Sequence, residues 1–209
     1  MSSSSGKAIG STVRGLPAER DGVEGNARLT GSAAAVLLIL LAAEGATLPA
    51  IHALLRPHVF SGFALIPPVA LKIGSTLYRF GRYYAGAPSY RRKGPPPTAL
   101  RLLGPVVVLT TILVLASGVG LLFLSAPWQQ RMLTLHKLSF VVWFAAMTVH
   151  VIGHILETAQ LAPRDWAPTS AHSTSGAAAR RWALGASVLA GGLLGAWGLG
   201  HIGGWVRFR

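Results

Sequence analysis

Apolar residues fall along the chain in five blocks, bounded by short stretches in which arginine, proline, glycine and serine gather. A helix needs about 20 apolar residues to cross the roughly 30 Å hydrocarbon core of a bilayer. Five segments reach that length: 29–55, 58–77, 100–124, 132–156 and 182–206, the first two joined by a tight turn at Arg56, Pro57 and His58. Residues 1–28 are polar and glycine-rich, show no cleavable signal, and read as a disordered cytoplasmic tail. Residues 158–181 read as a polar linker. The expected fold is therefore all-α: an integral membrane bundle of about five transmembrane helices, with a four-helix core over 29–157. A fifth helix and a short tail occupy 182–209.

Composition agrees with this pattern. Hydrophobic residues make up 51% of the 209 positions and charged residues 12%, and the mean hydropathy is +0.50. The net charge of +13 raises the question of nucleic acid. The basic residues instead occupy tails and loops between apolar runs, where membrane topology is written, so nucleic-acid binding is not expected. Lys7, Arg14, Arg20 and Arg28 lie before the first segment. Arg79, Arg82, Arg91, Arg92, Lys93 and Arg101 lie around the second connection, and Arg164, Arg180 and Arg181 around the fourth. The other connections carry little more than Arg56 and Arg131. Positive residues favour the inside, which places the N-terminus in the cytoplasm and the C-terminus outside a cell membrane. Trp128, Trp182 and Trp205 fall at proposed helix ends, as interfacial aromatics do. The tyrosine- and arginine-rich second loop suits anionic membrane lipid, or alternatively an acidic redox protein or the propionates of a haem.

Cysteine is absent, which excludes disulfides, thiolate zinc, cysteine-ligated iron–sulfur clusters, c-type haem and thiol catalysis. No Walker loop, dinucleotide fingerprint, HExxH zinc motif or serine elbow occurs, so no self-contained catalytic site is expected. The candidate chemistry lies in the fourth segment, where residues 135–157 are apolar yet hold three histidines. His136 and His150 are fourteen residues apart, which is about 21 Å along a helix axis and about 40° around it. Both therefore face one side at two depths. Fourteen residues after His58, in the second segment, stands Lys72. The third segment repeats the step with Gly104 and Gly118, and the first with Gly31 and Gly45. A glycine lets a flat macrocycle lie close to the backbone.

In these residues the chain resembles the haem-binding four-helix bundle of the cytochrome b superfamily, which includes the b-type subunits of membrane dehydrogenases and the cytochrome b561 group. The resemblance covers 29–157. It implies stacked histidines on two helices and, as in the respiratory cytochrome b, glycine pairs on the helices between them. On that basis one haem b is expected on His58 and His136, with Gly118 near its face and Gly62 relieving crowding one turn from His58. The chain departs from the pattern at Lys72, where a second histidine would serve an inner haem. A second haem on His150 would need neutral Lys72, an unidentified ligand, or His154 after a helix shift. The implied activity is electron relay between a quinol pool or redox partner and an acceptor.

Other residues leave alternatives open. Lys72 either snorkels to the inner surface or meets a propionate or quinone. Glu44, near the middle of the first segment, is protonated, paired with Lys72, or part of a proton path. Pro67 and Pro68 should kink the second helix and release backbone carbonyls. Gly191 and Gly195 form a small-residue face that either braces the bundle or docks a partner subunit. His52, His172 and His201 are expected at wet interfaces. The competing function is a haem-free transporter or assembly subunit using Glu44, Lys72 and His150 as a proton or substrate relay.

Overall fold

The computed structural model describes residues 17–94, 98–166 and 176–203, and all the regular structure among them is helical. Helix α1 is Pro17–Thr47, α2 Leu55–Tyr84, α3 the short Pro88–Lys93, α4 Thr98–Phe123, α5 Ala126–Leu161 and α6 Ala177–Leu199. Single 3₁₀ turns follow α1 (Leu48–Ala50) and α5 (Ala162–Asp165). Five of the helices are long and apolar enough to cross a membrane. Helix α1 packs on α2 and α4 on α5, contacts between α1 and α5 and between α2 and α4 close these four into a bundle, and α6 lies against α2. The helices thus have two ends: a histidine end, where α1 gives way to α2 and α4 to α5, and an arginine end carrying the other termini.

Several boundaries differ from those expected. Residues 17–28, assigned above to a tail, belong to α1, and Arg28 is 1% exposed. Positions 1–16 lie outside the described residues. Residues 158–181 are not wholly a linker: α5 runs to Leu161, the 3₁₀ turn follows, and α6 begins at Ala177, while 167–175, with His172, lie outside the described residues. Positions 204–209, including Trp205, also lie outside them. The reason for the added order is ionic. Arg28 donates to Glu24 at 2.6 Å and to Asp165 at 3.4 Å, and Arg180 grips Asp165 through Nε at 2.6 Å and Nη2 at 2.8 Å. Arg181 adds a hydrogen bond to the Asp165 carbonyl, and Ser32 one to the Ala162 carbonyl. This clasp ties α1, the turn after α5 and the start of α6 into one unit at the arginine end. At 36 residues, α5 is about 54 Å long, so it outreaches the hydrocarbon core and can carry the clasp beyond it.

The other end of α1 also moves. Pro49 has no N–H to donate into a continuing helix, and α1 stops at Thr47 rather than running on to 55. Glu44 consequently lies in the last turn of α1 and not near the middle of a span. Pro57 causes no such break, because it sits in the first turn of α2, where backbone N–H groups have no intrahelical acceptor.

Helix α2 passes through Pro67 and Pro68 as one helix. Pro68 removes the N–H that would bond the Ala64 carbonyl. That carbonyl oxygen is the atom against which Gly191 of α6 packs. A Cβ at Gly195 would come 2.7 Å from the Phe60 carbonyl oxygen, and one at Gly198 would come 2.9 Å from the Phe63 ring. The small-residue face of α6 therefore braces α2, with backbone approaching backbone as small residues permit in membrane helix pairs. Trp197 extends the contact, edge-on to Phe63 at 6.1 Å and stacked on Phe123 of α4 at 5.5 Å. Gly191→Val is expected to destabilise the protein by about 2 kcal/mol, since the clash is with backbone that cannot swing away. Thermal unfolding in detergent measures this, with Gly185→Val, whose Cβ would meet nothing within 4 Å, expected to match the wild type.

At the arginine end, Tyr90 of α3 is buried edge-on to Tyr78 at 6.2 Å, with Arg82 over its ring at 5.9 Å. Gly94, at φ 72°, takes the left-handed conformation that ends α3. Arg91 and Arg92 stay exposed on this short helix.

Candidate functional site

At the histidine end, His58 in the first turn of α2 faces His136 of α5 across the bundle. Their ring centres are 6.3 Å apart and their planes lie at 86°. The Nδ1 atom of each ring is already engaged. His136 Nδ1 is 3.0 Å from the Val114 carbonyl oxygen of α4, an atom that can only accept, so this nitrogen carries the proton and Nε2 the lone pair. Ser117 Oγ, whose own proton goes to the Leu113 carbonyl at 2.6 Å, accepts from the same Nδ1 at 3.2 Å. His58 Nδ1 is 2.9 Å from Glu44 Oε1 and 2.9 Å from Thr47 Oγ1. Thr47 donates to the Glu44 carbonyl at 2.6 Å, which leaves its oxygen to accept from the imidazole. Ser61 donates to the other Glu44 oxygen. Both rings are thus fixed in one tautomer and one orientation, and neither Nε2 has a hydrogen-bond partner among the described residues.

Beside the rings lies a cavity of about 710 Å³ lined by α1, α2, α4, α5 and the 48–55 connection. That volume suits a small-molecule or cofactor pocket. The lining is leucine, valine, phenylalanine and glycine apart from a few polar groups, among them Glu44, His52, His58, His136 and Lys137. Gly45, Gly62 and Gly118 line it as well. Gly118 has a particular reason to be glycine: a Cβ there would stand 3.2 Å from His136 Cε1, pressing on the ring. Trp143 closes part of the wall and satisfies its N–H on Thr111 Oγ1 at 2.9 Å.

The other expected site residues are not brought here. Gly104 is no part of the cavity wall, and a Cβ on it would meet nothing within 4 Å. The partner glycine of the first segment, Gly31, packs on Leu161 instead. Lys72 is also outside the wall; its ammonium donates to the Thr30 carbonyl of α1 at 3.0 Å. His150 lies tilted against His154 with ring centres 4.7 Å apart, and its buried Nδ1 has no hydrogen-bond partner among the described residues. Among the described residues no imidazole of another helix pairs with it, as His136 pairs with His58 at the outer level. Glu44 meets His58 and Ser61, not Lys72. Of the three relay residues of the haem-free alternative, Glu44 thus stands apart, while Lys72 and His150 are near enough to interact electrostatically. His201 bonds the Trp197 carbonyl at 3.0 Å and is exposed, as expected of an end residue.

Which group would fit the facing imidazoles follows from the donor set. An imidazole nitrogen binds a first-row metal at about 2.0–2.1 Å, so two imidazoles that shared one ion would stand with their centres roughly 6 Å apart. The observed separation is 6.3 Å. Among the described residues no three histidine or carboxylate side chains gather as a metal site, so a bare ion would lack ligands. A porphyrin brings four nitrogens of its own and asks the protein for two more, which His58 and His136 can provide. The acceptors on Nδ1 are of the kind that orient metal-binding histidines and raise their basicity. Thr47, Ser61, Ser117 and the Val114 carbonyl had gone unrecognised in the sequence; the usable signal was a hydroxyl residue three positions after Glu44 and another three after His58. Comparison with protein-family models, with curated proteins and with solved structures finds no match to this chain.

Proposed function

We propose that this chain is a membrane-embedded b-type cytochrome, akin to the cytochrome b and b561 bundles, holding one haem b between His58 and His136. It relays electrons between a quinol pool or redox partner and an acceptor. The observation that carries the reading is the pair of facing imidazoles, 6.3 Å apart, each anchored through Nδ1 and each with Nε2 uncommitted. Haem iron, when bound, supplies reversible one-electron transfer.

The protein's part is to hold and tune. His58 and His136 orient toward the cavity because Glu44, Thr47 and the Val114 carbonyl fix their tautomers. The two sides differ: a carboxylate stands behind His58 and a neutral carbonyl behind His136, so His58 is the more electron-rich ligand. The apolar wall keeps water from the cofactor face, and Gly118 leaves His136 room to stand upright. The reading takes a single haem, since among the described residues the facing pair of imidazoles from two helices lies at the histidine end. The arginine end lies in the cytoplasm on this reading, with Arg91 and Arg92 toward anionic lipid or a redox subunit.

The test is a reduced-minus-oxidised visible spectrum of detergent-purified protein made with haem available, with haem counted per chain as the pyridine haemochrome. One b-type haem per chain is expected. Protein without a Soret or alpha band would refute the reading.

A further inference from the structure

A porphyrin is not wholly apolar: two carboxylates hang from one edge, and in an apolar cavity they need a cation. Lys137 stands out in this respect. It follows His136 on α5, lines the cavity, and among the described residues is the one lysine or arginine in the wall. Glu44, the one carboxylate in the wall, is taken by His58 and Ser61. Lys137 itself makes no hydrogen bond or ion pair among the described residues. It is an exposed residue eleven positions beyond the start of α5, where the helix turns from its polar first turns to an apolar run and an ammonium without an anion is costly. Its stem can carry the charge toward the mouth, where His52 also lines the wall.

We infer that Lys137 binds a carboxylate of the porphyrin, anchoring the polar edge of the cofactor at the histidine end of the cavity. The inference rests on the haem reading and adds to it the orientation of the bound group. A charge-assisted hydrogen bond in a low-dielectric wall slows cofactor escape; its loss corresponds to about a tenfold change.

Haem transfer from the full-length protein in detergent to excess apomyoglobin measures that escape. The wild type, Lys137→Met and Lys137→Arg are each loaded with haem or with haem dimethyl ester, in which both carboxylates are masked. Lys137→Met is expected to release haem about tenfold faster than the wild type, with Lys137→Arg restoring most of the difference. With the dimethyl ester, wild type and Lys137→Met should release at one rate, because the ester has already removed the partner. Equal release of haem by wild type and Lys137→Met, or the same acceleration with the ester as with haem, would overturn the assignment. Wild-type protein that takes up neither compound would instead refute the haem reading itself.

Discussion

Alanine in place of either His58 or His136 is expected to leave the purified protein without haem, whereas His150→Ala retains it in full. Each of the first two changes removes one of the two facing nitrogen donors, and the aliphatic and aromatic side chains that make up most of the wall offer no ligand. His150 stands at another level, against His154 and outside the cavity wall, so its loss removes no ligand. Haem per chain by pyridine haemochrome, with folding checked by thermal unfolding of each variant, gives the answer. Full haem occupancy in either His58→Ala or His136→Ala would remove the basis of the site.

The second large effect concerns stability. Asp165→Ala should destabilise the protein by about 3 kcal/mol, because removing one partner of a buried ion pair leaves the others as uncompensated buried charge. The side chains of Asp165 and Arg28 are each 2% exposed, and that of Arg180 is 12% exposed. Screening by salt should change the effect little, since buried pairs are shielded from counterions. Glu24 keeps part of the compensation for Arg28, which sets the estimate at the lower end of the range for such losses. Thermal unfolding in detergent, at low and high salt, measures it. A loss within about 0.5 kcal/mol of zero would mean that the clasp contributes as little as an exposed pair.

What the sequence disclosed, and what it hid, follows from the range of the interactions. The five spans were legible because a run of apolar side chains is a local property. Their ends were not: Arg28 is held by Asp165, 137 residues away, and no local pattern announces that partner. Four of the charged residues read as tail and linker, Glu24, Arg28, Asp165 and Arg180, pair with one another. His58 and His136 were legible because a titratable group in an apolar run is costly and stands out. Their acceptors were hidden, since hydroxyls on helices commonly bond the carbonyl one turn back and carry no mark of a second role. The fourteen-residue spacing had mixed value. It led to Gly118, which does meet His136, but equally to Gly104 and Lys72, which take no part in the cavity. Pro67 and Pro68 raised the right question about released carbonyls. The answer needed the packing of α6, because the Ala64 carbonyl is met by Gly191.

The most direct test of the central claim is low-temperature electron paramagnetic resonance of the oxidised protein. Two imidazoles bound to one ferric haem give a low-spin signal, and rings set near 86° to one another should make it strongly anisotropic. The account predicts that signal in the wild type and in His150→Ala, and its loss in His58→Ala and His136→Ala. A high-spin ferric signal in the wild type, or no haem signal at all, would contradict it.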